Sequence, residues 1–293
     1  MGVKETLRGI PDVRFTENEN AARFTSFGVG GAAKYFIMPR SIHSLIAGVR
    51  AAAECGVKYR IIGNGSNLLV SDGGYDGLIV CTKNLNRVLF DKGEIAVLCG
   101  TPLSRLTAFA AGCGRTGFEG LRGIPATLGG AVYQNAGAFG QSVSDHITDI
   151  TSAKDGEIVR RVRSECRFGY RDSIYKTNGE IIISAKFRFP KRKSGENADY
   201  SALRRARQPA GRTCGSVFLN PTGDFAGALI ERAGLKGHKV GGARVSDKHA
   251  NFIIAEDGAT ALDVYELIEE IKTRVYEKFG VLLKEEVEYL GEF

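Results

Sequence analysis

Residues 61–74 read IIGNGSNLLVSDGG, and residues 120–140 read GLRGIPATLGGAVYQNAGAFG. The first stretch lies between two β-favouring runs, KYRII (58–62) and YDGLIVCT (75–82), and follows the segment SIHSLIAGVRAAAECG (41–56). In that segment Leu45, Val49, Ala52 and Ala53 recur at helical spacing, Ser41 stands at the N-cap and Gly56 lies just past the end. Helix, strand, glycine loop, strand is the order of an α+β nucleotide-handling unit. A dinucleotide fingerprint is not met, because Leu68 occupies the third glycine position and no acidic residue stands between Asp76 and Asp91 to bind a ribose. What remains is backbone chemistry: small residues let several N–H groups converge on a phosphate, with Ser66 and Asn67 adding side-chain donors. Taken alone, the loop is equally a glycine turn joining two strands.

The second stretch carries too many glycines for an ordinary helix or strand interior, at about 1 kcal/mol each relative to alanine. A loop whose cost is offset by a ligand is therefore expected. Two such loops could hold the diphosphate of a long ligand from two sides, with Ile124, Pro125, Ala126 and Thr127 laid against a flat ring. A structural glycine-rich crossover is the rival reading. Further strands are expected at Glu94–Cys99 and Ile181–Phe189, and a helix over Leu103–Ala111. The C-terminal ALDVYELIEEIKTRVYEKFG (261–280) places Val264, Ile268, Ile271, Val275 and Phe279 on one apolar stripe and ends at Gly280.

Composition narrows the classes. At 293 residues, with 43% apolar and 25% charged residues, the chain is long enough for about two globular domains. No uncharged apolar run approaches the length of a membrane span, and the first fifteen residues lack the apolar core of a signal peptide. A cytoplasmic protein is expected. Six cysteines without a C-x-x-C pair and four dispersed histidines give neither a disulfide framework nor a metal site. The net charge of +7 favours anionic partners of any kind. The densest basic stretch, Arg188 to Arg212 around a Ser-Gly-Glu-Asn turn, reads first as a solvated linker and second as an anion-binding segment.

Single motifs outside the loops are weak by themselves. Arg171 in YRDS offers a bidentate fork to a carboxylate or phosphate, against the plainer reading of a surface Arg-Asp pair. Ser216 in GSVF is no G-x-S-x-G elbow, so a serine hydrolase is a poor reading. Cys214 has no neighbour to activate it, His249 reads as a satisfied structural histidine, and the glutamates of LLKEEVEYLG read as solvent-facing.

Together, FTSFGVGGAAKYF (24–36), the two glycine loops, FGYRDSIYK (168–176), CGSVFLNP (214–221), AGLKGHKVGGARVSDKHANFII (233–254) and EEVEYLG (285–291) closely resemble the UDP-N-acetylenolpyruvoylglucosamine reductases. The motifs occur in that family's order over nearly the whole chain. The resemblance implies an α+β fold: a two-subdomain FAD-binding region of the vanillyl-alcohol-oxidase (PCMH) type, over 1–85 and 86–195, and a C-terminal α+β substrate-binding domain over 196–293. It implies non-covalent FAD held by Gly63, Asn64, Gly65, Ser66, Asn67 and Leu68, and by Gly123, Ile124, Pro125, Ala126, Thr127, Gly129, Gly130, Asn135, Gly137, Ala138 and Phe139. NADPH is the implied reductant and a UDP-sugar the implied substrate, with no nucleic acid, no membrane insertion and a monomeric state expected.

By motif position, Ser216 matches the proton donor, while Arg171 and Glu286 match the groups that polarise the substrate carboxylate and stabilise the enolate. A serine hydroxyl suffices as acid when a carbanionic centre is held against it, and a glutamate helps there only when protonated or sharing a proton. Asn220 matches a contact to the nucleotide portion, and Lys248 and His249 are further substrate-binding candidates. Three departures stand out. Leu219 replaces a lysine common in the family, so one phosphate contact is either missing or supplied by Lys239, Arg244 or Lys248. Glu285 replaces the proline before the catalytic glutamate. The short spacing from YRDSIYK to CGSVFLNP places the chain in the subgroup without a substrate-covering tyrosine loop. Another FAD-dependent oxidoreductase on the same scaffold is the nearest alternative, and a nucleotide- or nucleic-acid-binding module without chemistry the next.

Overall fold

The computed structural model describes residues 2–191 and 200–293; the Ser-Gly-Glu-Asn turn and the neighbouring Arg192 and Lys193 lie outside them. The chain forms two compact units, each built from three stretches. The first takes Met1–Thr16, Tyr35–Asn64 and Gly77–Leu203; the second takes Glu17–Lys34, Gly65–Asp76 and Arg204–Phe293.

In the first unit the helix forms at Ile42–Glu54 with the expected cap: Ser44 N–H donates to Ser41 Oγ and Ser41 N–H to Ser44 Oγ, both at 3.1 Å. This reciprocal pair satisfies two donors that the helix start would otherwise leave open. Leu45, Val49 and Ala52 are buried in a core shared with Ile37, Leu78 and Val80. Tyr59–Ile62 pairs parallel with Leu78–Cys81, in a sheet ordered Val13–Asn20, Ala32–Pro39, Tyr75–Cys81, Tyr59–Ile62.

A second, antiparallel sheet runs in the order Glu157–Val162, Ile147–Lys154, Ile181–Phe187, Glu94–Leu98, Val88–Asp91. Its edge strand is held by charge. Arg161 donates from Nε to Glu180 at 3.0 Å and pairs with it again through Nη2, while Ser152 Oγ donates at 2.6 Å to a Glu180 side chain only 1% exposed. Burial pushes the Glu180 carboxyl up, but the hydrogen bonds from Arg161 and Ser152 outweigh it and hold it below its usual value. A carboxyl depressed in the folded state adds stability that is present at neutral pH and is lost as pH falls through the folded pKa. Glu180→Gln is expected to cost about 2 kcal/mol at pH 7, because it strips a half-exposed arginine of its buried partner. Urea unfolding followed from pH 7 to 3 should show the gap between wild type and variant closing as the pH drops.

The stretch 120–140 departs from expectation. It contains the helix Leu128–Tyr133, which packs on the strand Ile181–Phe187. Glycine has a packing advantage there: a Cβ on Gly129 would lie 3.1 Å from the Cβ of Cys99, close enough that Cys99 would have to give by a few tenths of an ångström.

The second unit is organised by the helix Ala261–Phe279, whose Val264, Leu267, Ile268, Ile271 and Val275 are buried and which ends on Gly280 at φ +67°. It packs on the strands Lys239–Val240 and Ala243–Val245, which pair in turn with Ile253–Ala255. Its start is doubly capped. Thr260 Oγ1 accepts from Asp263 N–H, and the Asp72 carboxylate accepts from Ala261 and Leu262 N–H, each at 2.9 Å. Asp72→Ala removes both charge-assisted bonds at the positive end of the helix and is expected to cost about 1–2 kcal/mol, read as a lower urea midpoint with an unchanged slope. Only Glu288–Leu290 of the alternating C-terminus forms a strand, pairing parallel with Leu68–Val70.

Candidate active site

The two glycine loops are tied by Asn64, whose Nδ2 donates to Pro125 O at 3.0 Å. Gly63 must be glycine, because a Cβ there would lie 1.9 Å from Thr127 Oγ1. That hydroxyl, on a residue 1% exposed, is sealed and has no hydrogen-bond partner among the described residues. The chain then turns through Gly65 at φ +59°, where a Cβ would meet Phe24 O at 2.2 Å. No hydrogen bond between described residues uses the N–H of Gly65, Ser66 or Asn67 as donor. Adjacent small residues with unspent N–H groups are the donor set that a diphosphate requires, so this loop fits the cofactor the sequence implies. Leu68 is buried and begins the following strand.

In the second loop the backbone is more committed. Ala126 O accepts from Leu103 N–H, while Leu128 and Gly129 N–H donate to Thr101 and Cys99 carbonyls. Gly123, Pro125 and Gly130 are exposed, and Ile124 and Ala126 pack partly against the core. Gly137 and Ala138 pair with Ser142 and Gln141 across a tight turn in which Phe139 and Gly140 both have positive φ, +54° and +75°. The Phe139 ring lies 5.2 Å from that of Tyr200.

Arg171 is held onto this second loop. It sits in a turn closed by Gly169 and Asp172, each N–H donating to the other's carbonyl, and has φ +52°. Arg171 Nη2 donates to Gly137 O at 3.1 Å, and its guanidinium stacks over Tyr170 at 5.4 Å. Asn135, buried and itself left-handed at φ +43°, donates from Nδ2 to Gly169 O at 2.7 Å; Ser173 Oγ donates to Tyr133 O at 2.8 Å. These ties hold the Arg171 turn in its left-handed conformation against the cost that a Cβ carries there. Asn135 and Phe139, predicted as cofactor ligands, share that backbone strain with Arg171.

The segments that carry Ser216 and Glu286 are joined by backbone pairing in the second unit. The segment carrying Ser216 is laced on one side to Asn251 and on the other to the C-terminus: Val217 N–H donates to Asn251 O at 2.9 Å, and Glu286 N–H to Val217 O at 2.7 Å. Asn251, 4% exposed, clamps the next peptide with its amide, accepting from Phe218 N–H at 2.9 Å and donating to Phe218 O at 2.8 Å. The two adjacent glutamates have different partners. Glu285 pairs with Lys272 at 2.7 Å, so it does not face solvent as the sequence suggested. Burial and the negative charge of Glu286 push the Cys214 thiol up, in keeping with an inert cysteine.

The substrate candidates are more scattered. Asn220 Oδ1 accepts from Ala226 N–H at 3.1 Å, at the start of the helix Ala226–Arg232, and Lys248 Nζ donates to Arg205 O at 2.5 Å. His249 accepts at Nδ1 from Asn251 N–H at 3.2 Å, which leaves Nε2 to carry the proton, and burial lowers its pKa. Of the possible replacements for the lysine absent at Leu219, Lys239 and Arg244 are both paired with Glu256, at 2.7 and 2.6 Å. Sequence reading passed over Asn251, Ser173 and the partner of Asn67; an amide clamp on a distant peptide leaves no trace in spacing. Among the described residues no cluster of His, Cys, Asp and Glu could hold a metal ion, and no helix is long and apolar enough to cross a membrane.

Comparison with known proteins gives the family. The family model of the FAD binding domain matches residues 33–161, and that of the UDP-N-acetylenolpyruvoylglucosamine reductase C-terminal domain matches residues 207–290. The UDP-N-acetylenolpyruvoylglucosamine reductase of Caldicellulosiruptor saccharolyticus is 40% identical over 294 residues, covering 96% of this chain and 94% of that one. The crystal structure of the corresponding Thermus caldophilus reductase superposes with a TM-score of 0.81 at 34% identity, covering 95% of this chain and 99% of that one. Glucooligosaccharide oxidase from Acremonium strictum matches in fold alone, with a TM-score of 0.51 at 14% identity over 100% of this chain and 66% of that one. The fold is thus α+β, an FAD-binding region of the vanillyl-alcohol-oxidase type followed by a reductase C-terminal domain. The chain is a flavin oxidoreductase and belongs to the UDP-N-acetylenolpyruvoylglucosamine reductase family.

Proposed function

We propose that this protein reduces UDP-N-acetylglucosamine enolpyruvate to UDP-N-acetylmuramate with electrons from NADPH. The observation that carries the reading is the short ladder joining the Ser216 segment to Glu286 through Val217, in a chain that belongs to this reductase family. Non-covalent FAD, when bound, supplies hydride transfer from NADPH to the terminal vinyl carbon. The Gly63–Leu68 loop would hold its diphosphate through backbone N–H groups, and the Gly123–Phe139 loop its ring system.

The remaining work falls to side chains of this chain. Hydride addition leaves an enolate whose carbon next to the carboxylate must take a proton, and Ser216 Oγ donates it. Arg171 supplies fixed positive charge to the carboxylate as negative charge develops there, and Glu286, protonated or sharing a proton, hydrogen-bonds the same enolate. Asn220, Lys248 and His249 contact the UDP-sugar, His249 as a neutral Nε2–H donor. Residues 1–85 and 86–195 serve the flavin and 196–293 the substrate. We place the enzyme in the cytoplasm as a monomer, a location supported by six cysteines that are all free thiols.

The test is anaerobic. Purified protein should be yellow, bleach with NADPH, and regain the oxidised flavin spectrum on addition of the enolpyruvyl sugar, with UDP-N-acetylmuramate formed. Bleaching without recovery would remove the substrate assignment and leave the flavin scaffold; a colourless protein that does not take up FAD would remove both.

A further inference from the structure

Asn67 is the last residue of the Gly63–Leu68 loop before the strand Leu68–Val70, yet its side chain turns to the C-terminal segment. Its Nδ2 donates to Glu286 O at 2.8 Å, and its own carbonyl accepts from Glu288 N–H at 3.1 Å. Asn67 therefore brackets Glu286, Val287 and Glu288 from both ends. The N–H of Glu286 is meanwhile spent on Val217 O. Of these contacts, the Nδ2 bond alone is made by a side chain; the Val217 bond and the parallel pairing of Glu288 with Leu68 belong to the backbone and survive substitution at position 67.

We infer that Asn67 is a positioning residue for Glu286, acting through the Glu286 carbonyl, so that the loop expected to carry the cofactor diphosphate also sets the carboxylate that meets the substrate. The inference rests on the functional reading above. With its carbonyl released, the Glu286–Val287 peptide is still held by the longer bond from Val287 N–H to Val217 O at 3.3 Å, so it loosens rather than swings free, and a displacement of about 1 Å at a catalytic group costs on the order of 100-fold in rate. Asn64 serves as the contrast within the same loop, since its amide is spent on Pro125 and has no tie to Glu286. A direct flavin-ligand role for the Asn67 side chain makes the opposite prediction: affinity for FAD falls first.

The experiment compares wild type with Asn67→Ala and Asn67→His, the latter returning a ring N–H near the place of Nδ2. FAD affinity is measured by fluorescence titration of the apoprotein, reduction by NADPH and reoxidation by UDP-N-acetylglucosamine enolpyruvate by stopped flow, and amide exchange over 284–290 by mass spectrometry. In Asn67→Ala, reoxidation should fall at least tenfold more than reduction, with exchange over 284–290 accelerated and FAD affinity weakened less than threefold. Asn67→His should recover much of the lost reoxidation rate. A tenfold or greater loss of FAD affinity with normal reoxidation of the flavin that remains bound would overturn the inference, as would equal losses in both half-reactions or unchanged kinetics throughout. A wild-type protein that the enolpyruvyl sugar does not reoxidise fails at the functional reading itself, before any variant is compared, and takes the inference with it.

Discussion

Replacing Ser216 by alanine is expected to slow reoxidation of the reduced flavin by about 10³-fold, and reduction by NADPH far less, because only the second half-reaction requires a proton at carbon. The substitution deletes one oxygen from a half-buried side chain. Every hydrogen bond described for that segment is made by backbone or by Asn251: Val217 to Asn251, the Asn251 amide to Phe218, and Glu286 to Val217. The ladder therefore stays closed, and the melting temperature should move little. A parallel collapse of both half-reactions, or loss of flavin from the purified variant, would point to a structural role and sink the proton-donor assignment.

Arg171 should separate stability from activity. Its φ of +52° lies in the left-handed region, where a residue with a Cβ pays about 1 kcal/mol relative to glycine. Arg171→Ala and Arg171→Gly both remove the guanidinium and should both lose about 10³-fold in reoxidation, since a charge aimed at a developing enolate is worth several kcal/mol. Glycine alone also relieves the backbone, so Arg171→Gly should be about 1 kcal/mol more stable than Arg171→Ala, a difference urea unfolding resolves. Equal stabilities would mean that the turn is relaxed as built. Arg171→Lys retains charge but not the planar fork, and full activity in that variant would reduce the residue to a point charge.

Where the backbone pattern is local, the sequence was readable. The Ser41 cap, the strands flanking the first loop, the helix beginning at Leu103 and the stop at Gly280 all rest on neighbouring residues, and all stand within a residue or two of the expected places. The helix Leu128–Tyr133 was hidden because propensity counts the cost of Gly129 and Gly130, whereas the gain, close approach to Cys99, comes from residues thirty positions away. The ties on the candidate site were hidden for the same reason. Asn67 reaches Glu286 across 219 positions, and Asn135 reaches Gly169 across 34. The pairing of Glu285 with Lys272 and the carbonyl bond on Glu286 likewise distinguish two adjacent glutamates that spacing alone leaves alike.

The threefold splitting of each unit bears on how the chain is made. Phe27, Val29 and Leu69 belong to the core completed by the helix Ala261–Phe279, and Leu68–Val70 finds its strand partner only at Glu288–Leu290. At roughly 5–20 residues per second, a ribosome that has finished Asp76 needs on the order of 10–40 seconds more to supply those partners. Throughout that interval the apolar segments around Phe27 and Leu69 are exposed on a nascent chain, and their protection depends on whatever shields it during synthesis rather than on the finished fold.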